Sequence, residues 1–573
     1  MQLIEIKIEN FRGIRSLHLP FDELTVLIGE NNTGKSTVLE AIKLILTRGF
    51  GVRRGGQFTE YDFHLKDADA TPQTANPISI ILHFAEHQED EWPEVVVQQL
   101  NEVIQFDTNG LNHIRLLAKG FFQAESSSFQ TQWAFLDSGD SELPLKNATP
   151  INLLSRFIPL FFLSALRDAS LEFGQRGQFW SGFLKSIQLP EDQQKRIEDM
   201  LREVNSSVIR ANTGLEKVRE KIADTGRLVP LDSTDPVALE AIPTRVFDMV
   251  GKIQVHLKSS YGAKLPMQRH GEGTQSLAVL MLFQAFVAAN LSEAYAPEST
   301  PILVLEEPEA HLHPSAIRSL GAFLKDLTGQ ILVSSHSGDL VSRVPVMALR
   351  RLYKHNGETK IGRVEEGSFT DRELQAIDYS IRFTRGHYLF SRCWLLVEGE
   401  SDFHLMPLLF EAMGHSQDQV SFSVLELSQV IDKGEPLIKF ANALGIQWFL
   451  MADGDSAGRD YVKRAQKYLM TGQTPTDHAR TLEQIDIEHE FWHAGYHDVI
   501  TNIVDPQSKI NIENEIDDDA KKTKHLIKAA IKGAGGKPAF AQMLAAEIKQ
   551  RGPNTIPQTI RDIIARIVQL AGA

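Results

Sequence analysis

The segment GENNTGKST, residues 29–37, constrains the fold of this 573-residue chain more than any other feature. Glycines at positions 29 and 34 are followed by Lys35 and Ser36, which is the pattern of a phosphate-binding loop. An apolar strand-like run precedes the segment and a run with helical spacing follows it, which disfavours the alternative of a chance glycine turn. Because glycines let backbone N–H groups face phosphates, we expect a nucleotide here, with Lys35 near its phosphates and Ser36 on Mg²⁺.

Two other apolar strands end in residues suited to the same site. The segment PILVLEEPEAHLHP places Glu306 and Glu307 at one strand end, and ILVSSHS places His336 at another. Glu306 would hold Mg²⁺ indirectly, and Glu307 would be the base that orients water. His336 would sense the terminal phosphate, although a strand-end histidine is more often structural.

A second acidic group follows two later strands, in LLVEGESD (395–402) and FLMADGDSAGRD (449–460). The carboxylates that we expect to act together are Glu398 with Asp402, and Asp453 with Asp455. Strand ends of a parallel sheet converge, and clustered carboxylates repel one another unless hard cations neutralise them. We therefore expect Mg²⁺ or Mn²⁺ bound by oxygen ligands, whereas a solvated acidic turn is the alternative for the second segment.

Composition limits the partners and the compartment. Acidic residues outnumber basic ones by 74 to 59, so DNA would have to meet a local basic patch. Lysines 521, 524, 528 and 532 recur near helical spacing and supply a candidate, with a solvated helix face as the alternative. The single cysteine, Cys393, excludes a disulfide framework and a multi-cysteine zinc site. We expect a cytoplasmic protein without a signal peptide or membrane span.

The order of strand-like and helix-favouring segments along the chain predicts an α/β protein with two modules. Residues 1–166 are strand-rich and contain the phosphate loop, and residues 167–255 are charged and helix-favouring, as in a helical insertion. Strands return in 256–375, and a second β/α alternation occupies 385–573. A charged insertion is best explained by a contact between subunits, so we expect a dimer or tetramer.

The first module resembles the ATP-binding-cassette heads of the SMC, RecF and OLD type. The resemblance rests on the order of NFRG (10–13), the phosphate loop, HGEGTQS (270–276), LEEPEAHLHP and SSH. It implies that ATP lies between the phosphate loop of one subunit and the signature motif of its partner. The residues implied to contact ATP or its Mg²⁺ are Arg12, Asn31, Asn32, Gly34, Lys35, Ser36, Thr37, Glu306, Gly273 and Ser276. Glu306 stands where cassettes more often have aspartate, and no Q-loop glutamine is placed.

The second module resembles the Toprim fold, and the combination resembles the OLD (overcoming lysogenization defect) family, which includes the Gabija A nuclease. The family pattern implies Glu488 as a further metal ligand, with Glu490 and Asp486 as competitors, and Lys537 as a cation facing the scissile phosphate. Lys537 is expected in a loop. The glycine usual after the middle strand is replaced by Ser428.

The resemblance implies an ATP-regulated DNA endonuclease that uses two Mg²⁺ or Mn²⁺ ions in the Toprim site and one with ATP, as part of defence against phage. It further implies a separately encoded partner, either a helicase or a retron reverse transcriptase with RNA. Two other functions remain open: an SMC-like DNA clamp without nuclease activity, and a topoisomerase-type subunit whose nucleophilic tyrosine comes from another chain.

Overall fold

The computed structural model describes most of the chain, in several segments. These are residues 1–46, 58–67, 69–145, 149–164, 189–226, 239–246, 248, 256–258, 264–271, 273–275, 277–278, 280–281, 284–285, 298–310, 312–427 and 434–572. Within them, no helix is both long and apolar enough to span a bilayer. Ser276, Ser428 and the ends of the predicted helical insertion lie outside the described residues.

The N-terminal sheet is antiparallel, and the alternating sequence QLIEIKIENF forms one of its strands. Its order is β2-β1-β4-β6-β5, with β7 also paired to β6. The strands are β1 (Gln2–Phe11), β2 (Ile14–Pro20), β4 (Ile78–Ala85), β5 (Gln105–Phe106), β6 (Asn112–Gln123) and β7 (Ser128–Leu136). A separate two-stranded sheet pairs β9 (His256–Lys258) with β10 (Lys264–Pro266).

The second sheet carries the predicted nucleotide residues. Its order is β14-β13-β3-β12-β11-β8, and all of its pairs are parallel except β13 with β14. The strands are β3 (Leu24–Ile28), β8 (Leu160–Ser164), β11 (Ile302–Glu306), β12 (Gln330–Ser334), β13 (Leu349–His355) and β14 (Glu358–Arg363). Because β3, β12 and β11 are parallel neighbours, the phosphate loop, His336 and Glu306 leave the same edge of the sheet.

The third sheet is wholly parallel, with the order β16-β15-β17-β18. Its strands are β15 (Cys393–Val397), β16 (Phe422–Glu426), β17 (Gln447–Ala452) and β18 (Ala479–Thr481). Alternate residues of β15 serve different cores: Leu395 packs among the C-terminal helices, and Trp394 packs toward the second sheet. Glu398 and Asp453 follow the adjacent strands β15 and β17, so both lie at one edge.

Helices cover the faces of these sheets. In the first half they are α1 (Lys35–Leu46), α2 (Glu94–Gln99), α3 (Thr149–Phe157), α4 (Glu191–Ala211), α5 (Thr213–Gly226), α6 (Pro314–Phe323) and α7 (Gly338–Val341). From residue 371 onward they are α8 (Asp371–Phe383), α9 (Glu400–Ala412), α10 (Gln417–Val420), α11 (Glu435–Ala443), α12 (Ser456–Ala465), α13 (Pro475–His478), α14 (Ile487–Phe491), α15 (His497–Ile503), α16 (Pro506–Glu515), α17 (Asp519–Ala534), α18 (Lys537–Arg551) and α19 (Gln558–Ala571). The predicted α/β class is confirmed, and α4 and α5 lie within residues 167–255, the predicted helical insertion.

The two modules share a core. One buried cluster contains Val26 and Leu305 of the second sheet together with Trp394 and Leu396 of the third. At the junction, the buried Arg351 guanidinium donates to the carbonyl oxygens of Leu389, Ser391, Leu444 and Gly445 at 3.0–3.3 Å. The second and third sheets therefore pack against each other through a shared core.

Candidate nucleotide and metal sites

The phosphate loop has the backbone that its glycines predict. Gly29 and Gly34 have φ values of 138° and 105°, and Asn32 has a φ of 63°. A Cβ at Gly29 would clash with the carbonyl oxygen of Leu352 on β13. Glycine is therefore required at position 29 both by its φ and by the close approach of β13.

Lys35 begins α1 and is buried over the loop. Its Nζ donates to the carbonyl oxygens of Gly29 at 2.9 Å and Glu30 at 2.8 Å. Burial lowers the Lys35 pKa to about 8, against the opposing charges of Glu307 and Glu30. Asn31, Asn32 and Ser36 are exposed, and Thr37 is half-buried, so the loop presents polar groups to solvent around one buried cation.

The carboxylate and histidine predicted beside the loop converge on it. His336 Nε2 lies 3.6 Å from Glu307 Oε1. Burial, followed by the Lys35 charge, lowers the His336 pKa, so Lys35, Glu307 and His336 form one electrostatic group. Glu307 has a φ of 46°, an unusual conformation for a non-glycine residue and one often found at functional sites. Glu306 ends β11 beside Ser334 of β12.

Glu309 is a member of this site that the sequence did not single out. Its Oε1 accepts from Ser335 Oγ at 2.8 Å and from the His336 backbone N–H at 2.7 Å. Its Oε2 is buried without a hydrogen-bond partner, and burial raises the Glu309 pKa. The only signal in the sequence is that it is the third glutamate of LEEPEAHLHP. The contacts show that Glu309 orients the segment carrying His336.

The remaining predicted ATP contacts lie around this site or outside the described residues. Arg12 Nε donates to Asp62 Oδ1 at 2.9 Å, and its guanidinium stacks 5.0 Å from the centre of the Phe11 ring. Arg12, which follows β1, is thus already paired with Asp62 of the 3-10 turn 60–62. Gly273 lines a surface cavity with Leu312 and His313, after the acidic strand end. Ser276 is outside the described part of the chain.

The acidic residues after β15 and β17 form a second group, and α14 contributes to it. The Asp453 backbone N–H donates to Glu398 Oε2 at 3.3 Å. Asp402, in the first turn of α9, is 4% exposed, and its Oδ1 is buried without a hydrogen-bond partner. Glu488 Oε1 accepts from Ser401 Oγ at 2.5 Å, which places α14 against the same turn.

The carboxylates of this group are buried close together, and their pKa values are raised. Burial and then Asp453 and Glu488 hold the Asp402 pKa well above its usual range. Burial, with Glu398 as the next cause, raises the Asp453 pKa to about 7. Burial and Asp486 also raise the pKa of Glu488, while Lys537 opposes that rise. A bound cation would remove the cost of ionising these carboxylates together.

Neighbouring acids are occupied by local hydrogen bonds. Glu490 Oε1 accepts from the backbone N–H groups of Glu483 and Gln484 at 2.5 and 2.9 Å, which is a structural role. Asp486 Oδ1 accepts from the His489 backbone N–H and contacts its ring. Of these three, Glu488 is the best placed to act with Asp402.

Asp455 differs from the other predicted metal ligands, because its Oδ1 caps α12. It accepts from the backbone N–H groups of Ala457 and Gly458 at 2.8 and 2.9 Å. Metal binding through Asp455 would therefore use its other oxygen.

Lys537 is the first residue of α18, not part of a loop as the sequence suggested. Gly536, with a φ of 118°, is its N-cap, and α18 packs on α9. This packing brings Lys537 close enough to lower the pKa of Glu488. The four lysines 521, 524, 528 and 532 are exposed on α17, which leads into this turn.

The acidic group fits a hard divalent cation by its chemistry. Every candidate ligand is a carboxylate oxygen, and Asp402 offers a buried oxygen that no protein group satisfies. Among the described residues, no three His, Cys, Asp or Glu side chains are already arranged around one point as a metal site. Mg²⁺ sites commonly use one or two carboxylates with water and substrate phosphate oxygens, which is compatible with this arrangement.

Comparisons with known proteins match two successive parts of the chain. The family model described as "Protein of unknown function (DUF2813)" matches residues 1–387, and "Overcoming lysogenization defect protein-like, TOPRIM domain" matches residues 389–455. YbjD of Escherichia coli is 26% identical over 573 residues, covering 100% of this chain and 99% of YbjD. The OLD nuclease of Thermus scotoductus is 24% identical over 480 residues, covering 79% of this chain and 82% of that nuclease. Endonuclease GajA of Bacillus cereus is 20% identical over 417 residues, covering 72% of this chain and 67% of GajA.

Proposed function

This chain belongs to the DUF2813 family through its first two thirds and to the OLD family of nucleases, and from that premise we propose that it is an ATP-regulated, divalent-metal-dependent DNA endonuclease. The observation that carries the proposal is the convergence of Glu398, Asp402, Asp453 and Glu488 at one edge of the third sheet, with elevated pKa values for the last three.

In the proposed reaction, a phosphodiester of DNA lies at this edge and is hydrolysed. The residues that would hold two Mg²⁺ or Mn²⁺ ions are Glu398, Asp402, Asp453, Asp455 and Glu488. When bound, the ions would supply positive charge at the scissile phosphate and an activated water. Ser401 holds the Glu488 carboxylate in place through its hydroxyl. Lys537 would add charge next to the phosphate from the start of α18.

The head would bind ATP with a further Mg²⁺. In this proposal, Lys35 contacts the phosphates, and Ser36 and Glu306 hold the ion. Glu307 orients the attacking water, and His336 lies 3.6 Å away to sense the terminal phosphate. Asn31, Asn32, Gly34 and Thr37 complete the loop, while Arg12, Gly273 and Ser276 are proposed to contact ATP within or across subunits.

The helical insertion supports a homo-oligomer. Helix α4 exposes Met200, Val204 and Val208, which follow one another at intervals of four residues and so share a face. Helix α5 exposes Val218 and Ile222 in the same way. Apolar stripes of this kind stabilise a protein when a second surface covers them. A second copy of the chain is the proposed occupant.

DNA would be attracted by the exposed lysines of α17, because the chain as a whole has a net charge of −15. A role in defence against phage, with a helicase or a retron reverse transcriptase and RNA as partner, is proposed from the family alone.

Nicking of supercoiled plasmid tests the proposal against the two alternatives. We expect nicks in Mg²⁺ or Mn²⁺, none in EDTA, and no protein covalently attached to the cut strand. Attached protein would indicate topoisomerase-type chemistry. ATP turnover and DNA binding without any nicks would indicate an SMC-like clamp.

A further inference from the structure

A cavity of about 710 Å³ lies beside the acidic site. Helix α8 lines one side, and the end of β16 and the first turn of α9 line the other. Glu426, in the cavity wall, pairs in register with Val397, the residue before Glu398. Phe403, also in the wall, directly follows Asp402. Two residues of the cavity wall are therefore neighbours of predicted metal ligands: Phe403 follows Asp402 in sequence, and Glu426 lies across from the residue before Glu398.

Two aromatic side chains of α8 stand in this cavity without serving a core. Tyr379 and Phe383 are 64% and 70% exposed. Their rings are stacked, with centroids 6.2 Å apart and planes inclined by 15°. The buried side of α8 is formed by other residues, Ala376, Ile377, Ser380 and Ile381. Exposed aromatic rings do not gain the free energy that burial of their apolar surface would give. A ligand that covers this pair would gain it, so the pair is suited to contact a ligand.

Polar and basic groups surround the rings. The amide and hydroxyl side chains that line the cavity include those of Gln375, Thr384, Gln417 and Ser423. Arg382 and Arg385 are exposed on either side of Phe383, and His387, two residues after Arg385, lines the cavity. Glu426 is the one acidic residue among the described residues that line the cavity. The Arg382 guanidinium donates to Asp378 Oδ2 at 3.3 Å, so Arg385 and His387 are the groups beside the rings that could meet a phosphate.

We propose that this cavity binds unpaired nucleobases of the DNA strand that enters the acidic site. The proposal rests on the proposed nuclease function and adds a preference for single-stranded or locally melted DNA. Aromatic faces stack on any base, amides and hydroxyls hydrogen-bond to base edges, and arginines contact the backbone phosphates. The volume lies within the ordinary range of small-molecule sites. Two exposed rings with amide and hydroxyl groups around them, next to the proposed phosphodiester site, favour a nucleic acid over a second protein copy.

The test is binding of a single-stranded oligonucleotide that carries 2-aminopurine, in EDTA to prevent cleavage. With the parent protein, stacking on Tyr379 and Phe383 should change the fluorescence of 2-aminopurine. The double variant Tyr379→Ala/Phe383→Ala should lose that change and bind about tenfold or more weakly, because each stacked base contributes substantially to affinity. Tyr379→Phe keeps the ring and should bind like the parent. Phe106→Ala removes a ring that is 66% exposed on the N-terminal sheet, and serves as the matched control.

Several outcomes would overturn the inference. Unchanged binding and fluorescence in the double variant would do so, and so would equal losses in the Phe106→Ala control. If the double variant instead became a smaller oligomer in light scattering while still binding DNA, the aromatic pair would be a subunit contact. Plasmid nicking by the parent protein, measured in parallel, distinguishes failure of the base-binding site from failure of the proposed nuclease function. If the parent nicks DNA but the double variant binds DNA as the parent does, the base-binding site alone is rejected. If the parent does not nick DNA, the proposed function is rejected.

Discussion

Arg392 Nε lies 2.6 Å from Glu30 Oε1, which joins the phosphate loop of the head to the residue that precedes β15. Ser421 Oγ donates to the same oxygen at 3.3 Å. Lys35 Nζ meanwhile donates to the backbone carbonyl of Glu30. Glu398 follows the other end of β15, so one five-residue strand separates the Glu30 ion pair from the acidic site.

This ion pair predicts how ATP affects DNA cleavage. Phosphates that attract Lys35 would compete with the Glu30 carbonyl and so alter the loop that Arg392 holds. Glu30→Gln and Arg392→Gln should leave ATP binding within a few-fold of the parent but bring the ratio of nicking rates with and without ATP closer to one. Arg363→Gln, which breaks the Arg363–Glu365 pair within the head, is the control. An ATP response identical to the parent in both variants would show that the pair does not couple the sites.

Lys35 and Glu307 should separate ATP binding from hydrolysis. Lys35→Ala removes a buried ammonium and should abolish tight ATP binding. Glu307→Gln should bind ATP and stall hydrolysis, because it keeps the shape of the side chain but loses the base. Titration with a fluorescent ATP analogue and a phosphate-release assay measure the two steps. Hydrolysis at the parent rate by Glu307→Gln would make Glu306 or Glu309 the candidate base.

Asp453→Ala and Glu398→Ala should each reduce plasmid nicking by at least about a hundredfold, because the remaining carboxylates cannot replace a charged ligand. ATP turnover should persist, since Lys35, Glu307 and His336 lie at the edge of the second sheet and not of the third. Asp517→Ala, an exposed acid on the same module, controls for lost charge. Full nicking by Asp453→Ala would reject the assignment of the acidic site, and loss of both activities would indicate misfolding.

The raised Asp453 pKa predicts that pH and metal change stability together. In the unfolded chain this carboxyl ionises near its ordinary pKa of 3.8, and in the folded protein near 7. In EDTA, folding should therefore become less favourable as pH rises from about 4 through 7, because the unfolded state loses its proton first. Thermal melts should show this decline, and Mg²⁺ should reverse it at pH 8. Asp453→Asn should weaken both the decline and the recovery.

The exposed stripe on α4 predicts a subunit contact. Val204 is 50% exposed at the middle of the stripe, so Val204→Glu would place a charge in a covered apolar surface and should reduce the oligomer to a smaller species in light scattering. Val95→Glu on α2, where Val95 is 42% exposed, is the matched control. An unchanged mass for Val204→Glu would assign the oligomer contact elsewhere.

Local sequence patterns were sufficient to predict many residues of the candidate nucleotide and metal sites. The phosphate loop, the strand ends at Glu306 and His336, and the carboxylates at Glu398 and Asp453 all follow short apolar runs, and such runs predict strands from the sequence alone. Neighbouring parallel strands then place those ends together without further information. For this reason, the amino-acid sequence was enough to predict the α/β class, whereas membership of the OLD family was predicted from the resemblance of its ordered motifs to that family.

Contacts between distant segments required the tertiary structure. The Glu30–Arg392 pair joins positions 362 residues apart, and no local pattern reports which charged partner a side chain meets across a domain boundary. The unpartnered oxygens of Asp402 and Glu309, the helical start at Lys537 and the cavity beside Tyr379 likewise depend on packing between elements. The sequence alone thus determined which chemical groups this protein carries and at which strand ends they lie, because the positions of the strands follow from local periodicity. Only the fold decided which groups are buried, paired or left open, because burial and electrostatic pairing arise from contacts between remote parts of the chain.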